Sequence, residues 1–104
     1  MRLLFVVSEV DPFSKTGGLA DVASSLPKAL AALGHDVRLM TPLYRAVHRA
    51  RYGLRPTRLV FPVAVGALTY DVRVWESLLP GSPVRVYFVE CPPLFDREGL
   101  YQAR

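Results

Sequence analysis

Apolar residues run without a break from Leu3 to Val7, directly after Met1 and Arg2. Arg2 to Ser8 therefore reads as a strand rich in Val, Leu and Phe and buried on both faces, the habit of a parallel sheet. Glu9 to Gly18 holds Pro12, Ser14 and a glycine pair, and reads as a loop. Beyond it, Leu19, Val22, Ala23, Leu26, Ala29, Leu30 and Leu33 recur at spacings of three and four. That spacing predicts a helix over Leu19 to Leu33 with these residues as one apolar stripe. Asp21 falls in its first turn, where the helix dipole favours an acid. Gly34 is a natural stop, and Pro27 inside the helix is expected to kink or interrupt it. Asp36 to Thr41 alternates as a second strand, so the first forty residues form a βαβ unit.

The pattern weakens after Pro42. Tyr44 to Tyr52 is read as either a short helix or an ordered loop. Leu59 to Val65 is strand-like, and Pro62 assigns it to an edge. Gly66-Ala67 turns it into Leu68 to Trp75, giving a β-hairpin. After a loop over Leu79 to Pro83 comes an apolar strand, Val84 to Val89, and then a loop-like tail from Cys91 to Arg104. The fold class is α/β: part of a Rossmann-like parallel sheet with an inserted hairpin.

The chain has 104 residues, half of them hydrophobic, with a formal net charge of +4. That composition suits one small packed domain or part of a larger one, and disorder is not expected. The apolar runs are too short for a membrane span. The opening run leads into Glu9 and Asp11 with no small-residue cleavage site, so it is not a signal peptide; the expected compartment is the cytoplasm. The single cysteine, Cys91, precludes an internal disulfide and is read as a small half-buried hydrophobe. Arg45, Arg49, Arg51, Arg55 and Arg58 crowd one stretch, but no nucleic-acid module accompanies them, so they are read as a solvated surface. His35 and His48 lack metal-ligand partners at usable spacing. Trp75 is read as packing in the hairpin, although it could stack on a sugar ring.

Chemistry concentrates in Ser8 to Val22. Two glycines between a strand's carboxyl end and a helix let backbone N–H groups approach a phosphate and leave the helix N-terminus facing an anion. Lys15 adds a mobile charge. A glycine pair in such a turn serves equally well as a plain tight turn, and both readings stand here. The segment is neither a P-loop nor a G-x-G-x-x-G fingerprint.

Ser8-Glu9, Pro12, the run Lys15-Thr16-Gly17-Gly18-Leu19-Ala20-Asp21-Val22, and Leu26-Pro27 together resemble the N-terminal signature of bacterial glycogen synthases and plant starch synthases. Gly34-His35-Asp36-Val37, Leu94-Phe95-Asp96-Arg97 and Gly99-Leu100-Tyr101 extend the resemblance over nearly the whole chain. The resemblance implies a GT-B fold, two Rossmann-like domains around a cleft. It also implies retaining transfer of glucose from ADP-glucose to the non-reducing end of an α-1,4-glucan such as glycogen, with no metal and no cofactor. By the same resemblance, Lys15 would meet the donor's diphosphate, and Gly17 and Gly18 would supply backbone donors. Asp21 would help to shape the site, or be only a helix-dipole acid. Glu9 would face the donor region, or be an ordinary loop carboxylate.

On this view residues 1–104 are the N-terminal part of the first domain, and the second Rossmann-like domain is absent. The chain alone is then expected to be inactive, since groups that would meet charge on the leaving diphosphate are missing. One helix covers only part of one sheet face. Leu4, Val6, Val86 and Phe88 are therefore expected to face water and drive self-association. Two other readings remain: another GT-B glycosyltransferase, and a non-catalytic module that binds a nucleotide or glucan.

Overall fold

The computed structural model describes residues 1–95 of the chain. Asp96-Arg97 and Gly99-Leu100-Tyr101, part of the resemblance above, lie outside the described residues. Strand β1 (Arg2–Val6) is followed by helix α1 (Gly18–Ala32), β2 (Asp36–Pro42), the hairpin β3 (Arg55–Val65) and β4 (Leu68–Leu78), β5 (Arg85–Glu90) and one turn of helix, α2 (Pro92–Phe95). The strands make one sheet in the order β1-β2-β5-β4-β3. β1, β2 and β5 run parallel, and β4 joins β5 antiparallel. The expected partial parallel sheet with an added hairpin is what forms, and β3, with Pro62, takes an edge. The hairpin turns at Gly66, whose φ of 62° suits a residue without Cβ.

Both hairpin strands run further than the hydrophobic alternation suggested. β3 starts at Arg55, ahead of a register shift between Pro56 and Val60. That polar, proline-bearing stretch carries no period-two signal, yet Thr57 bonds across to Val74 O at 2.7 Å. Tyr44 to Tyr52 is an ordered loop of turns.

Strand register decides which residues are covered. Leu39 pairs with Val86 and Thr41 with Phe88. These side chains share the face on which Val10, Phe13, Leu43, Tyr44 and Val47 pack. Val86 and Phe88 are therefore fully buried, contrary to expectation, and most of their cover is irregular chain from the loops around residues 9–14 and 43–54. The opposite face is the open one. Leu4 and Val6 lie there, 56% and 72% exposed. β1 is consequently not buried on both faces; it is an edge strand with one wet side. The open face continues into an apolar groove of about 260 Å³ between Met40, Phe61, Tyr70, Val74, Val89 and Phe95.

α1 is rotated away from most of its predicted stripe, of which only Ala23 is fully buried and Leu30 half-buried. Its buried residues are Ala20, Ala23, Ser24 and Pro27, whereas Leu19, Val22, Leu26 and Leu33 are 44–75% exposed. Small side chains let the helix lie close to the sheet, Leu30 is half-buried, and Leu19, Leu26 and Leu33 are left outward. Pro27 does not interrupt the helix; its missing N–H costs one ladder bond while its ring packs into the buried face. Gly34, at φ 94°, ends the helix as expected. Cys91 is buried outright rather than half-buried.

Candidate functional site

The loop after β1 is pinned at several points. Val7 N–H continues the pairing with Met40 O at 3.0 Å, and Ser14 N–H donates to Val10 O at 2.9 Å. Tyr44 Oη donates to Ser8 O at 3.0 Å. Phe13 is driven into the core, edge-on to Tyr52 and Phe88 with ring centroids 5.0 Å apart in each case. Asp11 N–H reaches forward to Ala20 O in α1 at 3.1 Å. A loop of polar and turn-forming residues is thereby held as firmly as an element, and residues 15–19 are left exposed at the carboxyl end of β1.

Glu9 lies beneath that exposed stretch, only 1% exposed. Its Oε1 accepts from the N–H groups of Thr16, Gly17 and Ala20 at 3.3, 3.1 and 3.2 Å, and its Oε2 accepts from Thr16 Oγ1 at 2.6 Å. The carboxylate sits against the N-terminus of α1, where partial positive charge and unpaired donors favour it. Glu9 thus faces inward onto the chain's own donors. Gly17 N–H is taken by Glu9 and is not outward. The N–H groups of Gly18 and Leu19 have no acceptor among the described residues and belong to the exposed first turn of α1, where helix N–H groups face the N-terminal end.

The two glycines occupy ordinary backbone. Gly17 is extended, Gly18 is the first helical residue, and neither has positive φ. A Cβ built at either would meet nothing within 4 Å among the described residues. Turn geometry and internal packing therefore leave both positions free to carry a side chain. What a side chain would obstruct here is the approach of something from outside.

Lys15 Nζ stands 2.7 Å from Asp21 Oδ1, an exposed ion pair bridging the loop and the first turn of α1. That hydrogen bond and the charge of Asp21, with smaller contributions from Asp11 and Glu9, hold the ammonium pKa above its ordinary value. Lys15 is a full cation at neutral pH, and an exposed pair of this kind exchanges partners readily. The structure brings Glu9, Lys15, Gly17, Gly18 and Asp21 into one place at the end of β1. Thr16, singled out only as part of the motif, proves to be the residue that Glu9 holds by both its N–H and its hydroxyl. The clue in the sequence was a hydroxyl residue just before the glycines with an acid at the strand end.

Other candidates fall elsewhere. Trp75 Nε1 donates to Glu90 Oε1 at 2.9 Å, and the Arg49 guanidinium covers the ring at 4.9 Å while bonding Glu90 Oε2 at 3.2 Å. The indole is thus used in packing. Arg51 lies over Tyr52, and the arginine stretch is a solvated surface throughout. His48 is exposed and His35 half-buried. No cluster of potential metal ligands occurs among the described residues, and no helix there is long and apolar enough to cross a membrane.

The chain as a whole is matched in known proteins. The family model of the starch synthase catalytic domain matches residues 2–104, and the chain belongs to that family. It is 50% identical to glycogen synthase 1 of Geobacter metallireducens over 98% of this chain and 20% of that protein. It is 46% identical to a glycogen synthase of Syntrophotalea carbinolica over 97% of this chain and 20% of that one. The catalytic domain of starch synthase IV from Arabidopsis thaliana, solved bound to ADP and acarbose, superposes with a TM-score of 0.86 at 29% identity, covering 98% of this chain and 21% of that chain. The chain therefore spans about a fifth of the length of the curated relatives it matches.

Proposed function

We propose that residues 1–104 form the N-terminal part of the first, Rossmann-like domain of a cytoplasmic glycogen synthase. That enzyme transfers glucose from ADP-glucose, with retention, to the non-reducing end of an α-1,4-glucan. In this reading Lys15 exchanges Asp21 for the donor diphosphate, while the outward N–H groups of Gly18 and Leu19 meet phosphate oxygens. Asp21 parks the ammonium when no donor is bound. The observation that carries the reading is the glycine pair: it lies beside an exposed lysine, and nothing among the described residues accounts for it.

The test uses a full-length synthase in which these 104 residues replace the corresponding fifth of the Geobacter metallireducens relative. Lys15→Ala is expected to raise the KM for ADP-glucose at least about tenfold, the loss of one charge-assisted phosphate contact. Lys28→Ala, a change on α1 beyond Pro27, is expected to leave it within about twofold. Equal kinetics for the two variants would rule out the assignment.

A further inference from the structure

We infer that Glu9 is a positioning residue for donor binding, one that acts through the loop and does not touch the donor; this rests on the reading of the Lys15–Leu19 stretch as the diphosphate site. The geometry is specific. One buried carboxylate at the end of β1 gathers three backbone N–H groups and one hydroxyl, from Thr16, Gly17 and Ala20. Those partners bracket the outward N–H groups of Gly18 and Leu19 and follow directly on Lys15. The sheet therefore sets where the exposed donors point, and Glu9 is the link between sheet and loop.

The tether has an electrostatic side. A carboxylate already seated at the helix N-terminus offsets much of the partial positive charge there. An arriving diphosphate gains little from the dipole itself. Its recognition falls to Lys15 and to the two free N–H groups, whose value depends on direction. A loop that loses its tether keeps its charges but loses that direction, and holding bound groups in one geometry is worth a large factor in rate and affinity.

The variants Glu9→Ala, Glu9→Gln and Thr16→Val separate this role from a general loss of structure. In the 104-residue chain, Glu9→Ala is expected to speed amide hydrogen exchange at Thr16, Gly17 and Ala20 about tenfold or more, with core amides such as Phe88 unchanged. In the full-length chimera the same change is expected to raise the KM for ADP-glucose about tenfold and alter kcat less. Glu9→Gln keeps one oxygen where three N–H groups converge, so it is expected to restore most of the affinity. Thr16→Val removes only the hydroxyl contact and is expected to raise KM about threefold. Unchanged exchange at Gly17 and Ala20 in Glu9→Ala would show that no tether exists. Faster exchange with an unchanged KM, beside a raised KM in Lys15→Ala, would overturn the positioning role alone. An unchanged KM in Lys15→Ala as well would overturn the diphosphate reading and this inference with it.

Discussion

Replacing Gly18 by alanine sets stability and donor binding against each other. Gly18 is the first residue of α1, its φ is not positive, and a Cβ there would meet no atom of the described residues within 4 Å. Alanine at such a position restricts the unfolded chain and costs the folded one nothing, a gain of about 0.4–1 kcal/mol. For a domain of this size, that gain corresponds to a rise in Tm of roughly 2–8 °C. The same methyl group stands in the path by which a phosphate would reach the Gly18 and Leu19 N–H groups, so affinity for ADP should fall. Valine enlarges the obstruction, while its helix propensity exceeds that of glycine by only a few tenths of a kcal/mol. Gly18→Val should therefore leave Tm near that of the parent and weaken ADP binding further. The assays are thermal unfolding of the 104-residue chain and calorimetric ADP titration of the full-length chimera. A Tm that drops in Gly18→Ala would mean that the fold itself requires the glycine. Unchanged ADP affinity in Gly18→Val would mean that no ligand approaches here. Either result would refute the reasoning.

Two further outcomes follow from the open surfaces and from the Lys15–Asp21 pair. The isolated chain is expected to self-associate at micromolar concentration and bind a hydrophobic dye, because side chains such as Leu4, Val6, Leu26 and Leu33 each forgo part of the roughly 1.5–3 kcal/mol that full burial gives; a compact monomer without dye binding in sedimentation would contradict this. The Lys15 pKa is raised in the folded chain, so the stability contributed by its pairing with Asp21 is full below the ordinary value of 10.5 and is lost as pH rises through the higher folded value. The Tm difference between the parent and Lys15→Met should therefore stay constant from about pH 7 to about pH 9 and shrink only in stronger alkali; a difference that changed near neutrality would mean that another group governs the pair.

Much of this organisation was legible because β-strands announce themselves by apolar runs and turns by glycine. The order of elements, the hairpin turn at Gly66, the edge position of β3 and the stop at Gly34 all carry that signal. What escaped depends on contacts distant in sequence. Periodicity identified α1 as a helix and Ala23 as packed, yet it also counted Leu19, Val22, Leu26 and Leu33, which are exposed, as the packed face. Close approach to the sheet favours Ala20, Ala23 and Ser24, and no spacing rule reveals how near the partner will be. The covered face of the sheet was misassigned for Val86 and Phe88 because cover comes from Phe13, Tyr44 and Val47, in segments with no regular period. At the site, the gathering of Lys15, the glycines and Asp21 follows from a short motif. The burial of Glu9 does not: its partners lie seven to eleven residues away, and only the folded loop turns them back onto one carboxylate.

The two rims of the sheet are not equivalent. On β3, Pro56 and Pro62 have no N–H to offer, and the register shift between Pro56 and Val60 breaks the line of the strand. β1 carries no proline from Arg2 to Val6, and its outer rim is unpaired among the described residues. A second molecule would extend the sheet by laying its own β1 alongside, antiparallel about a twofold axis. The resulting two-chain sheet would end in a proline-bearing strand on both sides, with no rim left to recruit a third. Pairing along the rim is thus self-terminating, and a fibre is denied to it. Assemblies larger than two would have to grow through the apolar faces instead, and lysines placed along β1 would leave those larger species intact while abolishing the sheet-extended dimer.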